Sequence, residues 1–189
     1  MASPSLPSVT SLPTASDDTL KSVLDTLFEP SFDLHAVAIP SIRDQLSKHG
    51  TDTPLTYTVL IQHVGSLLSS LASTSSPPSR ATLHAILGSH PRLGAKKVES
   101  AQSRAEQAQL NAGAEEEAAQ LAALNAEYEA RFPGLRYVVF VNGRGRPVIM
   151  RDMQERIARG DIRAEEREAI RAMVDIALDR ARKLGAVDR

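Results

Sequence analysis

The hydrophobic positions of this chain recur mostly at intervals of three and four, the period of helices with one buried face. Asp17 and Asp18 open an amphipathic stretch in which Leu20, Val23, Leu24 and Leu27 share a side, and Pro30 interrupts it. Residues 34–48 repeat the pattern, with Pro40 either in the first turn or at a break and Gly50 as the stop. Pro54 begins a longer helix to about Leu71, with Leu60, Val64, Leu67, Leu68 and Leu71 on one face. The run Ser73 to Ser79 reads as a surface loop. A short helix over 80–88 turns Leu83, Ile86 and Leu87 inward and ends at Gly88.

Residues 100–131 are rich in Ala, Glu and Gln, all good helix formers, and Gly113 divides them into two helices. Glu115 to Glu117 then place negative charge at a helix N-terminus. The run 135–141, LRYVVFV, departs from the helical period. Its residue types favour a strand, but no second strand is in evidence along the chain, and a lone strand is unstable. It therefore predicts an extended buried segment, followed by a turn at Asn142-Gly143-Arg144-Gly145. A helix runs from Pro147 to about Ala158, closed by Gly160. The last helix spans about 163–184, striped by Ile170, Met173, Val174, Ala177, Ala181 and Leu184. Glu165, Glu166 and Glu168 at its start and Arg180, Arg182 and Lys183 at its end complement the helix dipole.

The expected architecture is all-α: a single compact helical domain over 17–185 with one short extended apolar segment. Residues 1–16 are rich in Ser, Pro and Thr, carry no charged side chain and lack the basic and apolar regions of a signal peptide. They predict a disordered arm.

Composition narrows the chemistry. Among 189 residues there is no Cys, which removes disulfides, thiolate metal sites and thiol nucleophiles. Lys and Arg number 22 against 23 acids, too even a balance for a nucleic-acid surface. No apolar run approaches the ~18–20 residues of a membrane span. The expected location is cytoplasmic; a peroxisomal one stays open, although the sequence ends without an S-K-L type signal.

Three places could carry chemistry. His90 lies between a helix-ending Gly88-Ser89 and Pro91, which fixes the backbone and presents the imidazole on a rigid corner. The alternative is a loop histidine that caps the helix. Ser103, Glu106 and Gln107 share a helix face and could converge on one ligand, yet Ser-x-x-Glu is also the capping-box pattern. Arg156, late in its helix, is either solvated or able to hold a carboxylate through two parallel hydrogen bonds. His35, His49, His63 and His84 have no comparable setting and read as structural or exposed, and no metal-ligand spacing is present. Gly143-Arg144-Gly145 lacks the context of a phosphate loop.

Together these residues resemble a known family. The order H-P-R-L-G from His90, S-x-x-E-Q from Ser103, A-L-N-A-x-Y-x-x-R-F-P-G, Y-V-V-F-V-N-G-R from Tyr137 and E-R-I from Glu155 is similar to the 2-oxo-4-hydroxy-4-carboxy-5-ureidoimidazoline (OHCU) decarboxylases. The similarity runs from about Leu20 to Leu184 and is densest between His90 and Arg156. Before Arg80 the loop Phe28-Glu29-Pro30-Ser31 is its one anchor.

The resemblance implies a family-specific all-α fold, a homodimer and no cofactor. It implies decarboxylation of OHCU to (S)-allantoin and CO2 late in urate breakdown. By resemblance, His90 is the general acid/base, with Glu106 and Arg156 as its catalytic companions. Pro91, Ser103, Gln107, Val139, Phe140, Val141, Asn142 and Gly143 bind the substrate. On this reading Glu106 orients His90. The chain departs from the family pattern at Arg92, where an acid often follows His-Pro, and at Arg156-Ile157-Ala158-Arg159 in place of R-L-x-N. Two rival readings are a non-catalytic helical interaction module, which lacks sustained heptads, and a helical DNA-binding domain, which lacks basic excess.

Overall fold

Ser16 accepts a hydrogen bond from the Thr19 N–H at 3.2 Å, so the first helix starts where the two aspartates predict it. In the computed structural model, which describes residues 5–48, 54–94, 101–107 and 115–186, this is α1, Asp17–Phe28. It is followed by α2 Phe32–Lys48, α3 Tyr57–Ser73, α4 Pro77–Leu87, α5 Ala101–Gln107, α6 Glu115–Arg131, α7 Arg146–Arg159 and α8 Ile162–Lys183. There is no strand among the described residues. The fold is the expected single all-α domain, and residues 135–141 form the expected extended segment between α6 and α7.

Three boundaries differ from the sequence expectation. Pro40 neither breaks α2 nor sits in its first turn; the helix begins at Phe32 and carries Pro40 in its interior. Both Pro40 and Ala36, whose carbonyl loses its helical partner to the ring, face solvent, where water can substitute. The predicted loop 73–79 shrinks, because Pro77 and Pro78 occupy the first two positions of α4, where a missing N–H costs nothing. The segment predicted as a disordered arm folds over its described part. Residues Val9–Thr14 form a 3-10 helix, Val9 and Leu12 are buried, and the Tyr57 hydroxyl donates to the Pro7 carbonyl at 2.8 Å. Two apolar side chains placed three apart bury against the body of the protein, which average composition does not reveal.

The core sits where α8 packs against α3 and α1. Leu20, Leu24, Leu27 and Phe28 of α1 and Leu60, Ile61, Val64 and Leu68 of α3 meet Ala169, Met173, Ala177 and Ala181 of α8. The alanine stripe lets the helix axes approach closely. Gly65 marks the tightest point: a Cβ there would lie 2.7 Å from Val174 Cγ2. A β-branched neighbour has little rotamer freedom to yield. Gly65→Ala is therefore expected to lower stability by about 1 kcal/mol in thermal unfolding, since overpacking exceeds the gain in helix propensity. Adding Val174→Ala should restore most of the loss. A single Gly65→Ala variant that is more stable than wild type would show that the helices have room to shift.

The acids at the start of α8 do more than face the dipole. Glu165 and Glu166 are buried. Glu166 accepts from Arg80 at 2.8 Å and 3.1 Å, from Arg163 at 3.3 Å, and bonds His84 Nε2 at 2.8 Å. Buried carboxylates of this kind are tolerable only when paired and hydrogen-bonded. The remaining described histidines are also structural: His35 bonds Asp25 at 2.6 Å and His63 bonds Ser41 at 2.9 Å. His49 lies outside the described residues.

Candidate active site

α4 ends in a tight turn, with the Gly88 N–H on the His84 carbonyl at 2.8 Å and the Ser89 N–H and hydroxyl on the Ile86 carbonyl at 3.1 and 2.7 Å. Pro91 then fixes the chain, and two contacts hold the loop down. Arg136 donates to the His90 carbonyl at 3.1 Å, and the Asn125 amide donates to the Leu93 carbonyl at 3.0 Å. His90 is thereby buried, and its Nε2 has no hydrogen-bond partner among the described residues. Burial, reinforced by the nearby Arg180 charge and only partly offset by Glu29, pushes its pKa down to about 4. At neutral pH the imidazole is neutral, with a free nitrogen.

His90 lines a cavity of about 310 Å³. The cavity brings together Pro91, Ser103, Glu106 and the whole of Val139 to Gly143, with Asp179 and Lys183 of α8. Most of the expected site thus converges in one place. Gln107 closes α5, and its side chain lies outside the described residues.

Ser103 and Glu106 do not form a capping box. Ser103 lies inside α5 and donates its hydroxyl to Glu29 Oε1 at 2.6 Å. Both oxygens of Glu106 are held by Arg180, through Nε at 2.7 Å and Nη2 at 2.9 Å. The expected orientation of His90 by Glu106 is therefore replaced: Glu106 belongs to Arg180, and His90 is placed by its own loop. Arg180 is the residue that sequence reasoning missed. It is buried, and it also donates to Glu29 Oε1 at 2.6 Å, to Ser103 Oγ at 3.0 Å and to the Thr26 and Leu27 carbonyls. Burial opposes its charge, yet Glu106 and Glu29 outweigh that and hold its pKa above the ordinary arginine value. Burial likewise opposes ionisation of Glu29, but Arg180 and Ser103 prevail and hold its carboxyl below the ordinary value.

Glu29 follows the last residue of α1 with φ at 93°, a region that side chains other than glycine seldom occupy. In the sequence, Phe28-Glu29-Pro30-Ser31 stands out only as the anchor of the family resemblance before Arg80. The strained backbone delivers a carboxylate to Ser103 and Arg180 behind the cavity wall.

Arg156 lies apart from this group. It is not among the residues lining the His90 cavity; it sits behind the extended segment, buried against Glu165, which accepts from its Nε at 2.8 Å. Its guanidinium stacks 4.7 Å from the Tyr137 ring centroid, and its Nη1 donates to the Val138 carbonyl at 3.2 Å. Arg144 likewise donates to the carbonyls of Phe140 and Val141. These guanidiniums stand in for the strand partner that residues 135–141 lack. In a trans peptide the C=O and N–H point opposite ways. The N–H groups of Val139 and Val141 therefore point away from the carbonyls that the two arginines hold.

The Arg92 departure leaves the site's charge untouched. Arg92 forms a two-pronged pair with Glu129 at 2.5 and 2.6 Å and is not among the lining residues.

The chain is thus an all-helical domain with a cavity lined by a buried, neutral imidazole and backed by a carboxylate–guanidinium pair. A family model, OHCU decarboxylase, matches residues 13–182, and the chain belongs to that family. Comparison with curated proteins finds no match by sequence. A crystal structure of (S)-allantoin synthase shares the fold, with a TM-score of 0.61, 16% identity and coverage of 94% of this chain and 54% of that one. This chain thus spans about half the length of that protein. Among the described residues no helix is long and apolar enough to cross a membrane.

Proposed function

We propose that this chain decarboxylates OHCU to (S)-allantoin and CO2 in urate degradation, without a cofactor, with His90 as the acid–base group. Family membership sets the reaction class. The observation that carries the role of His90 is its buried, neutral ring with an unpartnered Nε2 in the cavity wall.

The substrate itself supplies the electron sink. As the bond to CO2 breaks, its electron pair moves into the adjacent ring C=N, and that nitrogen takes one proton from solvent. Neutral His90 removes the proton of the ring hydroxyl as this carbon becomes a carbonyl. The imidazolium so formed, a strong acid in this desolvated setting, returns the proton to one face of the carbon bearing the ureido group. One proton is consumed for each CO2 released. In this reading the N–H groups of Val139 and Val141 meet the developing negative charge. Likeness to the family also suggests a homodimer, which light scattering would read as twice the 20.4 kDa chain mass.

The direct test adds the protein to freshly generated OHCU and follows allantoin by circular dichroism. Accelerated appearance of one enantiomer is expected; a rate no faster than spontaneous decay would defeat the reading. The pH profile tests His90 separately. The acidic limb of kcat/KM is expected well below the ordinary imidazole range, near the value of about 4 held by the buried ring. Activity that already halves near ~6.5, the unperturbed value, would show an exposed base at work.

A further inference from the structure

The charge lining the cavity is uneven. Glu106 and Asp179 present carboxylates to it, and the imidazole of His90 is neutral. Arg180 lies behind the wall with Nε, Nη1 and Nη2 each given to an acceptor of the protein. Among the described residues that line the cavity, Lys183 is the only lysine or arginine. Its Nζ lies 2.6 Å from Asp179 Oδ2, one helical turn earlier, and its side chain is 66% exposed. Arg182 reaches the other Asp179 oxygen at 4.0 Å and is not a lining residue.

We propose that Lys183 captures the carboxylate of the incoming substrate at the cavity mouth, with Asp179 holding the ammonium in place until it arrives. This deepens the decarboxylase reading, from which the carboxylate-bearing substrate is taken. An ammonium carries three donors, so Lys183 can keep Asp179 and accept a second carboxylate partner. A flexible, exposed cation suits recruitment better than catalysis. The substrate carboxylate becomes neutral CO2, so a cation clasped tightly to it through the reaction would hold back the step it should assist. Glu106 is already paired with Arg180, but Asp179 facing an anionic substrate would otherwise repel it, and Lys183 offsets that repulsion where the cavity opens.

The test uses two readouts on the full chain. In the first, Lys183→Met raises KM about fivefold, the scale of an exposed ion pair, without a proportional fall in kcat, and Lys183→Arg restores KM. The dependence of kcat/KM on salt flattens in Lys183→Met. In the second, calorimetry compares binding of hydantoin-5-acetate with its neutral acetamide. Wild type and Lys183→Arg favour the acetate, and Lys183→Met loses that preference. Unchanged KM and an unchanged acetate preference in Lys183→Met would overturn the proposal, as would a wild type with no acetate preference. A wild type that favours the acetate yet fails to accelerate OHCU decay would leave Lys183 as an anion-capturing residue and defeat the decarboxylase reading alone. Because Lys183 is exposed at a helix end, its replacement leaves the core intact.

Discussion

Replacing Arg180 with methionine is expected to cost about 3–5 kcal/mol in urea unfolding and to abolish turnover. The loss is this large because Arg180 serves two carboxylates, Glu29 and Glu106, and two backbone carbonyls at the end of α1. Removing it leaves Glu29 buried without its guanidinium, and an unpaired buried charge costs far more than the intact pair contributes. Against a typical total stability of ~5–15 kcal/mol, much of the fold is at stake. Arg180→Lys separates folding from function. It keeps one positive charge, and so folds, but a single ammonium cannot reproduce the two-pronged grip on Glu106. Turnover should fall by about a hundredfold with the midpoint of unfolding moved much less. Adding Glu29→Gln to Arg180→Met should recover part of the stability and none of the activity. Wild-type turnover in Arg180→Lys would remove Arg180 from the site's machinery.

The second large effect is expected at His90. His90→Asn keeps a polar side chain of similar reach and removes the proton carrier. Turnover should fall ~10²–10⁴-fold, the usual worth of a placed general acid–base group, and allantoin should form without enantiomeric excess. Turnover and stereochemistry equal to wild type would end the assignment. Stability should move the other way in acid. The folded-state pKa of about 4 lies below the unfolded value of about 6.5. Between those values the unfolded chain holds more protons than the folded one, so wild-type stability falls as pH drops through that window. His90→Asn lacks this slope, and its stability relative to wild type should rise from pH 7 to pH 4.5. A parallel pH dependence in both proteins would mean that the ring is already protonated in the fold.

Both residues bear on how far the sequence can be read. His90 was legible because its signal is local: a glycine, a histidine and a proline within four positions dictate a rigid corner whatever the rest of the chain does. The helices were legible for the same reason, since a period near 3.6 and capping residues such as Ser16 act within a turn or two. The extended segment could be inferred from the lack of any partner strand. Its arginine supports, Arg144 and Arg156, could not, because a guanidinium's partner is not written beside it.

Arg180 shows the limit most clearly. In the sequence it is one of three basic residues at a helix end, each equally suited to the dipole. What distinguishes it is Glu29, 151 positions earlier, brought against it by the packing of α1 on α8. Arg156 is the converse: its residue type and helix were identified correctly, but only packing decided which side of the extended segment it occupies. The sequence by itself determined the helical elements, the rigid histidine corner and the residue types available for acid–base work, because backbone preference and side-chain periodicity are local. The tertiary structure alone decided which arginine backs the site, which carboxylates it binds and why His90 stays neutral. Those outcomes depend on burial and on charges close in space, and neither is set by neighbours along the chain.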